Sequence, residues 1–514
     1  MANKVYSNRI SEYAHENGGR VLVLFLLFSL AIYEFLTSGL PAFAIVCLIP
    51  LLIPAVYIIS KKQMLTFWVL IIINYFIHFF SKQRLLPNGI PMSLYNEMFE
   101  LMLLGMAIID TSKTICFKRT LNMMFLMLIV WCSFCTLQVL NDTCDLGIDI
   151  GGWFTGARMM AFQIMYAFLV FTLFLTTPET VQKYLKLWAI LCLFSAFWTW
   201  KQQHIGFTPA ESTWLQTSGS RTHILNAGTL IRYFSTFNDA ACYGIHAAGA
   251  AITFFIIGLT SKIKKDKYFY IITALLVIWQ MFASGTRTST FCLIAGFLTF
   301  LVLSKSFKII IPSAIVGGIL LFILMFTTIG NGNQQIRRMR SGFNKEDASA
   351  NVRDINQAAI KKYLADAPWG IGLSASFDNV PANNKFNIVS RIPPDSEYVF
   401  IWVHTGVIGI TVFLITTAIM FIGACYIVLS RLKNRSIIGV GAGLCSAFVS
   451  TQLGGYANQV LMQFPNCLTF YGGLAIVYML PYIEPSWIEL EEKRFAEQEE
   501  KKRLKQEKKL ASRV

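Results

Sequence analysis

Charge is what this 514-residue chain has least of. Only 14% of its residues are Asp, Glu, Lys or Arg, where a soluble domain carries about a quarter. Too few polar groups remain to cover a soluble surface, so lipid must solvate much of the chain. The strand-like alternation of a membrane β-barrel, over about ten residues, is missing too. No Walker A loop and no GxGxxG leading into a nucleotide fold is present, which argues against ATP-driven transport within the chain. The 11 cysteines include one CxxC, Cys132-Ser-Phe-Cys135, inside an apolar run, and show no Cys/His metal spacing, so no disulfide framework, metal or cofactor is expected. Most of them, such as Cys132, Cys192, Cys292 and Cys445, lie in or beside apolar runs and read as small packing hydrophobes. There is no internal repeat and no soluble catalytic domain. The first 20 residues are polar and the first apolar run is long enough to span, so no cleavable signal peptide is expected.

What is present is apolar length. Hydrophobic residues make up 55% of the chain and aromatics 14%, with 42 Phe; mean hydropathy is +0.54. A spanning helix needs about 20 mostly apolar residues. Candidate spans fall near 21–39, 41–60, 64–80, 95–111, 121–139, 159–177, 184–200, 239–259, 268–284, 288–304, 308–329, 397–428, 436–455 and 463–483. The net charge of +16 is read through the positive-inside rule, because basic residues punctuate these runs. With Lys4, Arg9 and Arg20 inside, the loops at Lys61-Lys62, Lys113 to Arg119, Lys262 to Lys267 and Arg431 to Arg435 fall inside as well. Segments 141–156, 201–238 and 330–396 fall outside; Lys82 and Arg84 are the exception to the rule. The expectation is an all-α polytopic membrane protein of about 12–14 transmembrane helices, with one long, partly helical periplasmic loop before the last three spans. Its parts are a cytoplasmic N-terminus (1–20), eleven spans (21–329), the loop (330–396), three spans (397–483) and a charged cytoplasmic tail (484–514).

The loop is the most informative segment. It holds nine basic residues, Arg337, Arg338, Arg340 and Arg353 among them, against six acidic ones, a net +3. A basic cluster near a membrane surface suits an anionic ligand. Val352, Ile355, Ala359 and Tyr363, widened by Ile360 and Leu364, predict a helix over 349–364 with Arg353 in its first turn. Two further arginines are expected at the outer face, Arg287 in Ser284-Gly-Thr-Arg287 and Arg232 in the segment ending at Asp239. Ionisable groups at membrane depth mark functional sites by default, with snorkelling to the interface as the competing reading. Arginine suits phosphate through its planar, permanently charged fork. Pro393-Pro-Asp-Ser-Glu-Tyr398 closes the loop and puts Asp395 and Glu397 at a membrane mouth. Each is a candidate base for a sugar hydroxyl or a helix cap. His404 reads as a packed, hydrogen-bonded histidine.

The stretch from Arg232 to Gly409 resembles the O-antigen ligase and O-antigen polymerase superfamily of bacterial envelope glycosyltransferases. The matching pieces are Arg232 to Asn238, Ser284-Gly-Thr-Arg287 at a span end, the Arg353 helix followed by Ala367-Pro-Trp-Gly-Ile-Gly372, and a polar motif eleven residues before the first Gly of Thr405-Gly-Val-Ile-Gly409. The resemblance implies a GT-C-like, metal-independent, inverting enzyme of the bacterial inner membrane, without cofactors. It implies a glycan donor carried on undecaprenyl diphosphate and an acceptor that is another glycan, lipid A core or protein; nucleic acid is no partner. Arg287 and Arg353, with Arg232, would bind the diphosphate, Asp395 would be catalytic, and Glu397 and Arg340 accessory. Ligases often carry His-Asn where this chain has Asp395-Ser396, a departure that favours a polymerase. A polysaccharide flippase is the alternative of a different class. It should carry mid-span charge, whereas the spans here read as nearly free of it, Glu34 and Glu100 excepted.

Overall fold

The computed structural model describes residues 26, 29–30, 33, 63–86, 91–110, 115–225, 230–305, 307–329, 331–332, 334–341, 348–376 and 378–511. The expected N-terminal segment 1–20 and span 41–60 lie outside these residues. So does span 21–39, including Glu34, apart from Leu26, Ser29, Leu30 and Tyr33, which are helical. The chain divides into two compact units, Met1–Trp68 and Val69–Val514. The second holds every residue of the candidate site.

The helices follow the apolar runs. In order they are α1 (Gln63–Lys82), α2 (Met92–Ile109), α3 (Met123–Leu137), α4 (Ile150–Ala157), α5 (Gln163–Phe174), α6 (Pro178–His204), α7 (Pro209–Thr217), α8 (Ala240–Thr260), α9 (Lys264–Ala283), α10 (Arg287–Leu303) and α11 (Phe307–Phe326). After them come α12 (Gln334–Ser341), α13 (Ala348–Leu364), α14 (Asn387–Arg391), α15 (Glu397–Tyr426), α16 (Arg435–Ala457) and α17 (Gly472–Ala511). A two-residue strand pair, Ile224–Leu225 with Leu230–Ile231, is the only sheet among the described residues. Eight of the described helices are long and apolar enough to cross a membrane, which makes this an all-α polytopic membrane protein. Polar side chains set several helix starts: Asn122 caps α3, Thr177 and Thr180 form a capping box on α6, and Asp239 caps α8.

The centre of the bundle is α8, packed against α9, α10 and α16. Its Ala247-Ala-Gly-Ala-Ala251 stretch is wholly buried. Small residues let membrane helices approach closely, where van der Waals contact and interhelical hydrogen bonds hold them. Thr253 Oγ1 donates to the Gly443 carbonyl across α8 and α16 at 3.0 Å, a contact worth about 0.6 kcal/mol in a bilayer.

Lys82, one of the two exceptions to the charge rule, is a structural cation. Its ammonium donates to the Phe237 and Asn238 carbonyls at 2.8 and 2.5 Å. It lies 3.6 Å over the Trp214 ring and 3.9 Å over Phe234. Carbonyls and ring faces here stand in for water, and the backbone just before the α8 cap is held in place.

A second departure concerns charge inside the helices. Glu97 on α2 is buried and pairs with Arg158 at 3.4 Å and with Gln163 at 3.1 Å. Glu100 and Asn96 are buried on the same helix. Arg158 opens a π-helical turn, Arg158–Phe162, between α4 and α5. The reading of nearly charge-free spans therefore needs correction at α2 and α4–α5. Sequence shows the charges singly, and only packing brings them together.

Among the described residues of 330–396, those from 360 to 389 build a core of their own against the bundle. Ile360, Leu364, Ala367, Ile371, Phe386 and Val389 pack on Val399 and Val403 of α15 and on Cys144. The expected apolar stripe of α13 holds only in its second half: Ile360 and Leu364 are buried, whereas Val352 and Ile355 are 53% and 67% exposed. The helix also begins by Ala348, so Arg353 is its sixth residue rather than a first-turn one. The helix dipole opposes a cation only within the first turn and so does not bear on Arg353.

The docking is made by backbone. The Ile371 and Gly372 amides donate to the Val403 and His404 carbonyls at 2.9 and 3.0 Å, and the Ile408 amide donates to Pro368 O at 3.2 Å. To accept these strand-like bonds α15 breaks at Gly406, with φ +67°. Gly370, at φ +77°, meets it backbone to backbone. The Pro-Trp-Gly-Ile-Gly and Thr-Gly-Val motifs are thus two halves of one joint.

Candidate active site

The site is built on the turn between α9 and α10. Ser284 Oγ donates to Met281 O at 2.7 Å and accepts from the Thr286 amide at 3.2 Å. Thr286 Oγ1 donates to Ala240 O at 2.7 Å, which ties the turn to the start of α8. Gly285 adopts φ +58°, a region that only glycine enters freely. Arg287 then opens α10.

Arg232 reaches this turn from the segment before α8. Its Nε donates to Ser284 O at 3.3 Å, Nη1 to Thr222 O at 2.9 Å and Nη2 to Thr286 Oγ1 at 2.9 Å. Arg338 on α12 reaches it from the loop, its Nε donating to Gly285 O at 2.8 Å. Burial lowers the Arg338 guanidinium to about 10, and the charges of Arg232 and Arg287 push the same way. Burial also lowers Arg232; Asp239 offsets part of that and Arg287 adds to it. The nearby carboxylate, Asp239, is engaged at the α8 amides of Ala241 and Cys242, at 2.7 and 2.8 Å.

Arg353 lies within electrostatic range of Arg287. One turn along the same face of α13, Asn356 Nδ2 donates to Asp395 Oδ2 at 3.3 Å. Asp395 is exposed and holds φ +40°. A non-glycine residue there stores about 1–3 kcal/mol, a strain found mostly at functional positions. Helix α13 therefore links the arginine cluster to the Asp395 carboxylate.

The remaining candidates sit elsewhere. Glu397 is buried, and its carboxylate accepts the amides of Val460, Leu461 and Met462 after α16, Leu461 at 2.9 Å. Ser396 Oγ donates to Gly455 O at 3.1 Å. Helix α15 has no side-chain cap, so Glu397 fastens a neighbouring loop rather than its own helix. Arg340 donates to Ile329 O at 2.5 Å, to Ile323 O at 3.5 Å and to the Asn331 side chain, at the end of α11. The residue of that basic run which reaches the turn is Arg338. Helical rotation of 100° per residue separates the two, but a run of three arginines does not reveal which faces inward. Asn356 carried no charge signal at all. His404 Nδ1 bonds Gly372 O at 3.0 Å, within the docking joint.

His223 carries a pH dependence. Its Nε2 accepts the Ala240 amide at 3.0 Å while Nδ1 pairs with Gly219 O at 3.1 Å, so the ring is neutral. Burial, with Arg232 and Lys82 nearby, lowers it to about 3. An unfolded histidine takes a proton near 6.5, so this contribution to stability is complete above that pH and is lost progressively as pH falls toward about 3. Thermal unfolding in detergent is expected to show a falling Tm from pH 7 to 4. The His223→Gln variant should flatten that slope; an equal slope in both would remove the assignment.

Residues 271–414 match the family model described as O-Antigen ligase. The match covers Arg287, Arg338, Arg353, Asp395 and the Gly370–Gly406 joint, and supports the O-antigen ligase and polymerase superfamily for this chain; Arg232 lies before the matched segment. No curated protein matches the chain significantly.

Proposed function

We propose that the protein is a membrane glycosyltransferase that uses oligosaccharide carried on undecaprenyl diphosphate, at the periplasmic face of the bacterial inner membrane. The observation that carries this is the convergence of Arg232, Arg287, Arg338 and Arg353, from four separate segments, with Asp395 held on the Arg353 helix. Such a cluster suits a diphosphate, because guanidinium forks donate paired hydrogen bonds to its oxygens. In the step we propose, an acceptor hydroxyl attacks the anomeric carbon and its proton passes to the Asp395 carboxylate. The carbon–oxygen bond to the diphosphate breaks, and undecaprenyl diphosphate leaves with the electron pair. A single displacement inverts the anomeric centre. The arginines stabilise the charge that grows on the leaving oxygen, so neither metal nor cofactor is called for. Asp395-Ser396 in place of His-Asn favours polymerisation onto a second carrier-linked glycan over transfer to lipid A core or protein.

Purified protein with a carrier-linked repeat unit is expected to yield longer chains. Asp395→Asn should lower kcat about 100-fold or more, the scale of general base catalysis, with donor binding kept. No chain growth and no transfer to core lipid or protein, with surface glycan intact in Arg287→Ala cells, would end this reading.

The second reading is a flippase, and the buried Glu97–Arg158 pair with Glu100 beside it is the observation on its side. Vesicles in which a fluorescent carrier-linked sugar crosses the bilayer, and stops doing so in Glu97→Gln, would favour it.

A further inference from the structure

A cleft borders the segment that carries Asp395. It runs between α4 and the loop with a volume of about 500 Å³, a size typical of small-molecule sites. Pro394, the neighbour of Asp395, forms part of its rim. Resting on the glycosyltransferase reading, we propose that this cleft holds an uncharged sugar segment of the acceptor and presents it beside Asp395.

Three features argue for a sugar. First, no charged side chain lines the cleft among the described residues, in contrast to the arginine cluster, so the two halves of a lipid-linked glycan would sort between them by charge. Second, the walls mix apolar surface with short polar groups, as a sugar ring requires with its apolar face and hydroxyl rim. Phe400 supplies the aromatic face, while Thr155, Ser374 and Ser390 supply hydroxyls. His404 lines it too, with Nδ1 engaged by Gly372 and Nε2 left for a ligand. Third, the α4 wall is nearly bare backbone. Gly152 and Gly156 cannot carry a Cβ, because it would strike Asp149 and the Leu373 carbonyl. Gly151 has only ordinary contact with Asp149 at 3.5 Å, so it leaves open space that a ligand can use.

The cleft is also rigidly framed. Asn379 accepts the Ser376 amide and donates to Ser374 O, both at 2.7 Å. Asp149 caps α4 through the Gly152 amide at 2.9 Å. Both walls are therefore set before a ligand arrives, which limits the ordering cost of binding.

The test separates this cleft from the arginine cluster. Two soluble probes are titrated into full-length protein in detergent and followed by NMR: the source cell's surface glycan freed from lipid by mild acid, and inorganic pyrophosphate. Thr155→Trp fills the cleft from an exposed position, and Gly151→Leu does so independently. Either variant is expected to weaken glycan binding at least tenfold and leave pyrophosphate binding unchanged, whereas Arg287→Ala should do the reverse. Undiminished glycan binding in both cleft variants overturns the proposal. So does loss of both probes together, or a wild-type protein that binds pyrophosphate and no glycan. Glycan binding that depends on Thr155 without any pyrophosphate binding would sustain the cleft while refuting the diphosphate site.

Discussion

Arg287→Lys is expected to lower kcat by about 100-fold or more, even though the charge is kept. Removing one well-placed donor from a transition-state site costs about 10²–10³ in rate. Lysine brings a single ammonium in place of a planar fork, so paired donation to two phosphate oxygens is lost. The position favours an anion. Arg287 is the first residue of α10, where the helix dipole opposes a cation, and Arg232, Arg338 and Arg353 add their own positive field. In the proposed step a diphosphate would offset all of these at once, more strongly as negative charge gathers on the leaving oxygen. Chain growth by purified variant is the measurement. A lysine variant within threefold of wild type would show that charge alone suffices and would remove bidentate recognition from the mechanism.

Gly406→Ala is expected to be nearly as damaging, from a position that need touch no substrate. A Cβ there would overlap the Pro368 carbonyl and the Gly370 nitrogen. The backbone at φ +67° adds strain of roughly 1–3 kcal/mol for a residue with a side chain. The joint between 368–372 and α15 should open, releasing α13 and with it Arg353 and the Asn356–Asp395 contact. Activity is expected to fall to background, while limited proteolysis should cut within 330–396. Gly318→Ala is the control, since a Cβ there meets nothing within 4 Å. Normal protease resistance and activity in Gly406→Ala would mean that the joint does not hold the site together.

Much of the bundle is legible without coordinates, because a bilayer allows few solutions. Apolar runs of about 20 residues become helices since lipid cannot satisfy backbone amides; the runs at 239–259 and 436–455 are α8 and α16 almost to the residue. Arg232 and Arg287 are legible as charges next to spans. The limits appear where rotation or contact decides. Val352 and Ile355 fit the apolar stripe of α13 yet face outward, because the face that packs is chosen by α14, α15 and the 367–375 segment. Arg338 and Arg340 differ by two residues, and only the docked position of α12 sends one to the Gly285 carbonyl and the other to the end of α11. Glu397 looks like a helix cap by position, but the amides it meets belong to a loop more than 60 residues away.

By itself, then, the sequence determined a helical membrane protein with a long polar insertion, because hydropathy and charge act through local composition and the bilayer enforces the outcome. The tertiary structure alone decided how the described part of this insertion docks on the bundle. Its six acidic and nine basic residues state only a net charge. Two glycines meeting backbone to backbone, and one helix joining Arg353 to Asp395, bring part of that charge beside a carboxylate, where we propose that a diphosphate and an acceptor meet. Such a meeting depends on contacts between residues distant in the chain, which no local pattern records.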